Sequence, residues 1–205
     1  MARRSDHTRE ELKEIILKAS WKIVEKRGFS GMTARRIAEE IGYAPGTIYN
    51  IFGTMNDLYL SVNSRVLDEL YAVLSSPQCR SVKKTPVQNM KEMARLYAEF
   101  AGKYKPHWLM LFTYALPKNK KPPPWYQEKI SRLFEPLEDL LEPFYTNRQT
   151  RKRKMAARVL WASVHGICFL KETGKIPLIS NQENPPDMTG YLIDSFITGV
   201  EAQAV

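Results

Sequence analysis

The chain has 205 residues, of which 43% are apolar and 26% charged, so wholesale disorder is excluded and no disulfide or metal staple is needed for folding. No apolar run approaches the roughly 18 residues that cross a bilayer, which excludes a spanning segment. The net charge of +9 is not concentrated at the N-terminal end: residues 1–60 hold ten basic and eight acidic side chains, residues 77–130 eleven and three. Bulk charge therefore carries no argument for a nucleic-acid partner, and local pattern has to.

Thr8-Arg9-Glu10-Glu11 has the S/T-x-x-E form of a capping box and opens a first helix. Its apolar stripe is Leu12, Ile15, Ile16, Ala19 and Ile23, and Gly28 stops it. Trp21 falls opposite that stripe, so it is exposed or packed on something outside the helix. Thr33 caps a short second helix with Ile37, Ala38 and Ile41 on its apolar side, ended by Gly42. Pro45 suits the first position of a third helix, where its missing N–H costs nothing. There Ile48 and Phe52 point one way, and Thr47, Tyr49 and Asn50 point elsewhere. Gly53 breaks the chain. Thr54-Met55-Asn56-Asp57 resembles a capping box with Asp in place of Glu and opens a long helix to about Leu74.

Helical spacing continues from Pro86 to about Lys103, through Met90, Ala94 and Tyr97, and from Pro106 to Leu116. Residues 116–125, LPKNKKPPPW, read as a loop. Tyr126 to Tyr145 is helical with breaks at Pro136 and Pro143, and Arg151 to Lys171 is one helix. GKIPLISNQENPP is another loop, and a last helix runs from about Asp187 to Gln203. No strand alternation is present, so the fold class is all-α.

A helix, a tight turn containing Gly, and a second helix form the DNA-reading unit. Here it spans residues 32–52, MTARRIAEEIGYAPGTIYNIF. Ala38 permits close crossing of the two helices. The third helix presents Ala44, Gly46, Thr47, Tyr49 and Asn50, small, hydroxyl and amide groups suited to phosphates and base edges. At this point ILKASWKIVEKRG, TARRIAEEIGYAPGTIYNIF and the DL that follows resemble the DNA-binding domain of the tetracycline-repressor (TetR) family of transcriptional regulators. Trp161-Ala162-Ser163-Val164-His165-Gly166 resembles the W-x-x-x-H-G signature of one TetR-type C-terminal ligand-binding domain. The resemblance implies an all-helical homodimer. A helix-turn-helix DNA-binding domain over residues 8–68 would join a helical effector-binding and dimerisation domain over 69–205.

Carried over by position, the resemblance assigns DNA contacts to Thr33, Arg35, Arg36, Ala44, Pro45, Gly46, Thr47, Tyr49, Asn50 and Thr54. Many members carry Lys where this chain has Pro45, and another where it has Met55. Losing both removes phosphate contacts and shifts them to Arg3, Arg4, Arg9, Arg35 and Arg36, which predicts a shallower salt dependence.

Candidates for the effector pocket are Trp108, Phe112, Tyr126, Phe134, Trp161, His165 and Phe169, and each also reads as plain core. His165 reads as a packing, hydrogen-bonding or effector-contacting group. Lys118, Lys120 and Lys121 read as a solvated loop, with attraction of an anionic effector as the functional option, and the aromatics lean towards an apolar or amphipathic effector. The basic run 148–154 reads as a solvated helix end rather than a nucleic-acid patch. The helix from Met155 to Leu170 is apolar nearly all round and needs burial on two sides. With the last helix it offers Val159, Ile167, Leu170, Leu192, Phe196, Gly199 and Val200 as a dimer interface, an intersubunit four-helix bundle.

The sequence thus reads as an effector-responsive repressor of a palindromic double-stranded DNA operator. The rival is a helical ligand- or partner-binding module that no longer reads DNA specifically. An enzyme has no support, because no nucleophile–base pair, H-E-x-x-H or phosphate-cradling glycine loop occurs. No cofactor, metal or membrane partner is expected. The N-terminal stretch MARRSDHTREELKE lacks an apolar segment, and the only cysteines, Cys79 and Cys168, lie far apart; both fit a cytoplasmic protein.

Overall fold

Helix α1 (Arg9–Arg27) starts at a two-way cap. The Thr8 hydroxyl accepts from the Glu11 amide at 3.2 Å, and the Glu11 carboxylate accepts from the Thr8 amide at 2.7 Å. These two bonds hold the Glu11 carboxyl below the usual carboxylate range. The computed structural model describes residues 7–118, 121–180 and 187–202. Among the described residues every regular element is helical, and no helix is long and apolar enough to cross a membrane.

The described residues up to Asp68, together with Tyr104–Gln127, form one compact unit. It contains α1, α2 (Ala34–Ile41), α3 (Pro45–Phe52), most of α4 (Met55–Leu74) and α6 (Lys105–Thr113). α2 is capped by the Thr33 hydroxyl, which accepts from the Arg36 amide at 3.3 Å. It ends at Gly42, whose φ of +73° lets the Tyr43 amide reach back to the Ala38 carbonyl at 2.9 Å. That left-handed turn sets α3 across α2, and Ala38, with no exposed surface, lies in the core the helices share. Ile16, Ile37, Ile48, Leu58 and Val62 close this core, and Met110 of α6 joins it.

The later segment has a definite role here. Trp21, on the far side of α1, stacks on His107 of α6 at 3.9 Å and meets Tyr104 edge-on at 6.3 Å. His107 Nε2 donates to the Trp21 carbonyl at 3.0 Å. Phe29, Tyr59 and Tyr114 form a ring cluster with centroids 5.0–5.8 Å apart. The Tyr59 hydroxyl donates to the Met32 carbonyl and the Tyr114 hydroxyl to Asn56 Oδ1.

The second unit takes Glu69–Lys103 and the described residues from Glu128 onward. α5 (Pro86–Lys103) packs on α8 (Glu135–Leu141), α9 (Thr150–Glu172) and α11 (Met188–Ala202). Where one interrupted helix is expected, α7 (Pro124–Arg132) ends before Leu133–Phe134, and α8 begins with Pro136 in its first turn. Pro143 falls in a 3-10 turn over Glu142–Phe144. α10 (Ile176–Ser180) is a short helix inside a stretch expected to be a loop, with Pro177 in its first turn, where a proline is tolerated. Residues 181–186 of that stretch lie outside the described residues.

Candidate functional site

The exposed face of the helix-turn-helix is built by what its opposite face buries. Ile48 is 1% exposed and anchors α3, which turns Tyr49, 47% exposed, and Asn50 outward. Ala44, Pro45 and Gly46 are exposed at the start of the helix, and Thr47 is half-buried. Ala44 is the N-cap without a side-chain bond, and Pro45 takes the first helical position. A Cβ built on Gly46 would meet open space, so this end of α3 is sterically clear.

The cations around this face are held in different ways. Arg35 Nε pairs with Glu39 Oε1 at 3.2 Å, both well exposed, and such a pair is worth little in water. Arg36 is half-buried, and its Nη1 donates to the Gly31 carbonyl at 2.5 Å. Arg9 Nη2 donates to the Ile51 carbonyl at 3.2 Å, near the end of α3. Arg3 and Arg4 lie outside the described residues. His7 Nδ1 and the Tyr43 hydroxyl are hydrogen-bonded at 2.8 Å, joining the start of the described chain to the turn.

At the start of α4 the Thr54 hydroxyl accepts from the Asp57 amide at 3.2 Å and donates to Asp57 Oδ2 at 2.6 Å. The carboxylate sits beside the helix N-terminus, whose positive pole favours negative charge. Met55, where the resemblance implies Lys in many members, is half-buried and packs on the core. The T-x-x-D spelling carried the signal for the cap.

The second unit holds an apolar cavity. Met90, Met93, Ala94 and Tyr97 of α5 form one wall. Phe134 and Leu137 form another, and Leu160, Trp161 and Val164 of α9 a third, with Leu74, Leu133 and Ile193 completing it. Phe134 and Trp161 meet edge-on at 5.5 Å, and Arg158 lies 4.6 Å over the Phe134 ring while bonding Glu138 at 2.8 Å. His165 stacks on Trp161 at 5.3 Å, and its Nδ1 is hydrogen-bonded to the Tyr97 hydroxyl at 2.9 Å. Burial pushes the His165 imidazole below its usual value.

Of the aromatic residues singled out in the sequence, Phe134 and Trp161 line this cavity, His165 backs it, and Phe169 is exposed further along α9. Trp108, Phe112 and Tyr126 belong to the first unit, with Trp108 fully buried and edge-on to Phe112 at 5.4 Å. Lys118 and Lys121 also belong to that unit, and Lys120 lies outside the described residues. The α5 wall was visible in the sequence only as a core stripe, because helical spacing does not say whether a stripe packs solid or leaves a gap.

On α9 and α11, Met155 and Val159 are exposed, at 60% and 48%. Ile167, Leu170, Leu192, Phe196 and Val200 are half-buried, and a Cβ on Gly199 would meet nothing. Among the described residues no cluster of three His, Cys, Asp or Glu side chains could hold a metal ion.

Residues 16–62 match the bacterial regulatory proteins of the tetR family, and residues 90–194 match the tetracyclin repressor-like C-terminal domain. No curated protein matches the chain. Among solved structures, a TetR-like transcriptional regulator from Rhodococcus sp. RHA1 is similar, with 18% identity, a TM-score of 0.60, and 98% of this chain and 99% of that one covered. The multidrug binding protein EbrR, complexed with imidazole, shares 21% identity over 95% and 96% of the two chains, with a TM-score of 0.60. BioQ, solved with its double-stranded DNA operator, shares 15% over 93% and 98%, with a TM-score of 0.62. These likenesses carry the fold, and the two family matches together span both halves of the molecule. The chain belongs to the TetR family of bacterial regulatory proteins.

Proposed function

We propose that the protein is a cytoplasmic, non-enzymatic repressor that binds a palindromic DNA operator as a homodimer and is released by a small apolar or amphipathic effector. The single observation that carries the reading is the two-sidedness of α3. Ile48 is buried, while Ala44, Pro45 and Gly46 are exposed with open space around Gly46, and Tyr49 and Asn50 present hydrogen-bonding side chains. Such a helix fits a major groove, and two of them related by a two-fold axis read two half-sites. Thr33 and Arg35 flank that face as phosphate contacts. Thr54 contributes its backbone amide rather than its hydroxyl, since the hydroxyl already donates to Asp57. The exposed or half-buried apolar residues on α9 and α11, from Val159 to Val200, support the dimer. The second-unit cavity supports the effector, which acts by binding two conformations of the dimer unequally.

The test is selection from random duplex DNA with the purified protein at physiological salt, followed by sequencing of the bound pool. A palindrome is expected to be enriched. A pool with no enrichment, both alone and with candidate ligands present, overturns the reading. That result would leave the module that no longer reads DNA, which the occupied α4 N-terminus and the half-buried Arg36 favour.

A further inference from the structure

Resting on the effector reading above, we infer that the second-unit cavity takes an uncharged, flat, hydrophobic ring compound and rejects carboxylates and ammonium ions. The class follows from the walls. No lining residue carries a charge. The charges nearest the aromatic wall neutralise each other: Arg158 bonds Glu138 at 2.8 Å and spreads over Phe134. Glu138 is itself only 9% exposed, so its charge is committed to that pair. A ligand carboxylate or ammonium entering the cavity would lose its hydration with no counter-charge on the wall to replace it.

Shape narrows the class further. The gap is tight in this conformation, so a ring enters only as flexible side chains on its walls move aside. Phe134 and Trp161 meet at 77°, making a right-angled corner of two ring surfaces. A flat ring lies along one and meets the other edge-on, the arrangement aromatic pairs favour. Across the gap stand Met90 and Met93, unbranched thioethers that shift readily and contact ring edges favourably. The lysines at 118 and 121 are not among the lining residues, so the lean they give towards an anionic effector finds no support in the walls of this cavity.

Three probes of equal size separate the possibilities: naphthalene-2-carboxamide, naphthalene-2-carboxylate and 2-naphthylmethylammonium. Each is titrated calorimetrically into the full chain at pH 7.5 without DNA. The carboxamide is expected to bind at least tenfold more tightly than either ion. Filling the gap with Ala94→Phe should abolish its binding while the thermal melt stays cooperative. Should that variant not fold, Ala94→Leu, which fills less of the gap, should still lower carboxamide affinity at least threefold. An ion binding as tightly as the amide overturns the inference, as does no binding by any probe, or unchanged affinity in a folded variant. Because no DNA is present, the outcome is separate from operator release. A carboxamide that binds but leaves selected DNA bound sinks the release mechanism and not the ligand class.

Discussion

Tyr49 stands half-exposed next to buried Ile48, so its ring makes little of the core and most of the outward face. Tyr49→Ala is therefore expected to lower operator affinity at least tenfold while leaving the melting temperature within about 2 °C, since surface substitutions usually change stability by under about 0.5 kcal/mol. Gel shift and circular dichroism check the two halves. Asn63 is the opposite case. It lies on α4, 1% exposed, and neither its amide nitrogen nor its oxygen has a hydrogen-bond partner among the described residues. The Tyr126 phenol, which burial pushes up to about 12, approaches it without forming a hydrogen bond of regular geometry. Each unpaired buried polar group costs about 1–3 kcal/mol, so Asn63→Leu, close in volume, should stabilise the chain in urea unfolding. Buried His107 and half-buried His165 set a pH dependence. Burial lowers both His107 and His165 from 6.5, so the folded chain holds them neutral while the unfolded chain takes up protons first. Their stabilising contribution is complete above about pH 6.5 and is lost as pH falls below it. Urea midpoints at pH 7.5 and 5.5 should fall in that order, and replacing both histidines with Phe should flatten the difference.

At the scale of elements, the start of α4 joins a side-chain cap to a carboxylate at the helix pole. Its positive pole is occupied by Asp57, which also receives the Thr54 hydroxyl. Asp57→Asn keeps a side-chain oxygen for the cap and removes the negative charge that a phosphate would meet. Operator affinity should rise several-fold, at a cost of about 0.5–1 kcal/mol in stability. Met55→Lys adds a cation beside the same pole, and every phosphate it newly engages should steepen the log–log salt slope by about 0.9. Affinities measured from 50 to 300 mM salt test both, and an unchanged slope in Met55→Lys would remove α4 from the interface. The start of α9 poses the reverse problem, with Arg151, Lys152, Arg153 and Lys154 and no acid in its first turn. Arg153 is relieved by Glu142 at 3.3 Å.

For the whole molecule, the decisive quantity is whether two recognition helices act together. Val159 is 48% exposed and Gly199 has open space around it, so a charge or bulk at either leaves the protomer's own core intact. Val159→Asp with Gly199→Arg should yield a folded monomer by light scattering and lose at least tenfold in operator affinity, because only one half-site is engaged at a time. A dimer that persists through both substitutions would move the interface off α9 and α11.

Features that depend on neighbours along the chain were legible in the residue order. The Thr8 and Thr33 caps, the Gly42 turn, the Pro45 start and the all-helical class follow from spacing and backbone preference within a few residues. The outward face of α3 was legible for the same reason, since one buried position fixes where the others on a short helix point. The rest depends on residues far apart in the chain, which folding brings together. It placed 104–127 with the N-terminal unit, where His107 gives Trp21 its partner 86 residues away. It assigned Trp108, Phe112 and Tyr126 to that unit, and Phe134 and Trp161 to the other. It turned Arg36 onto Gly31 and left a narrow gap beside Met90 and Met93. An apolar side chain at helical spacing is satisfied by any apolar neighbour, so its pattern says that it is buried and not against what.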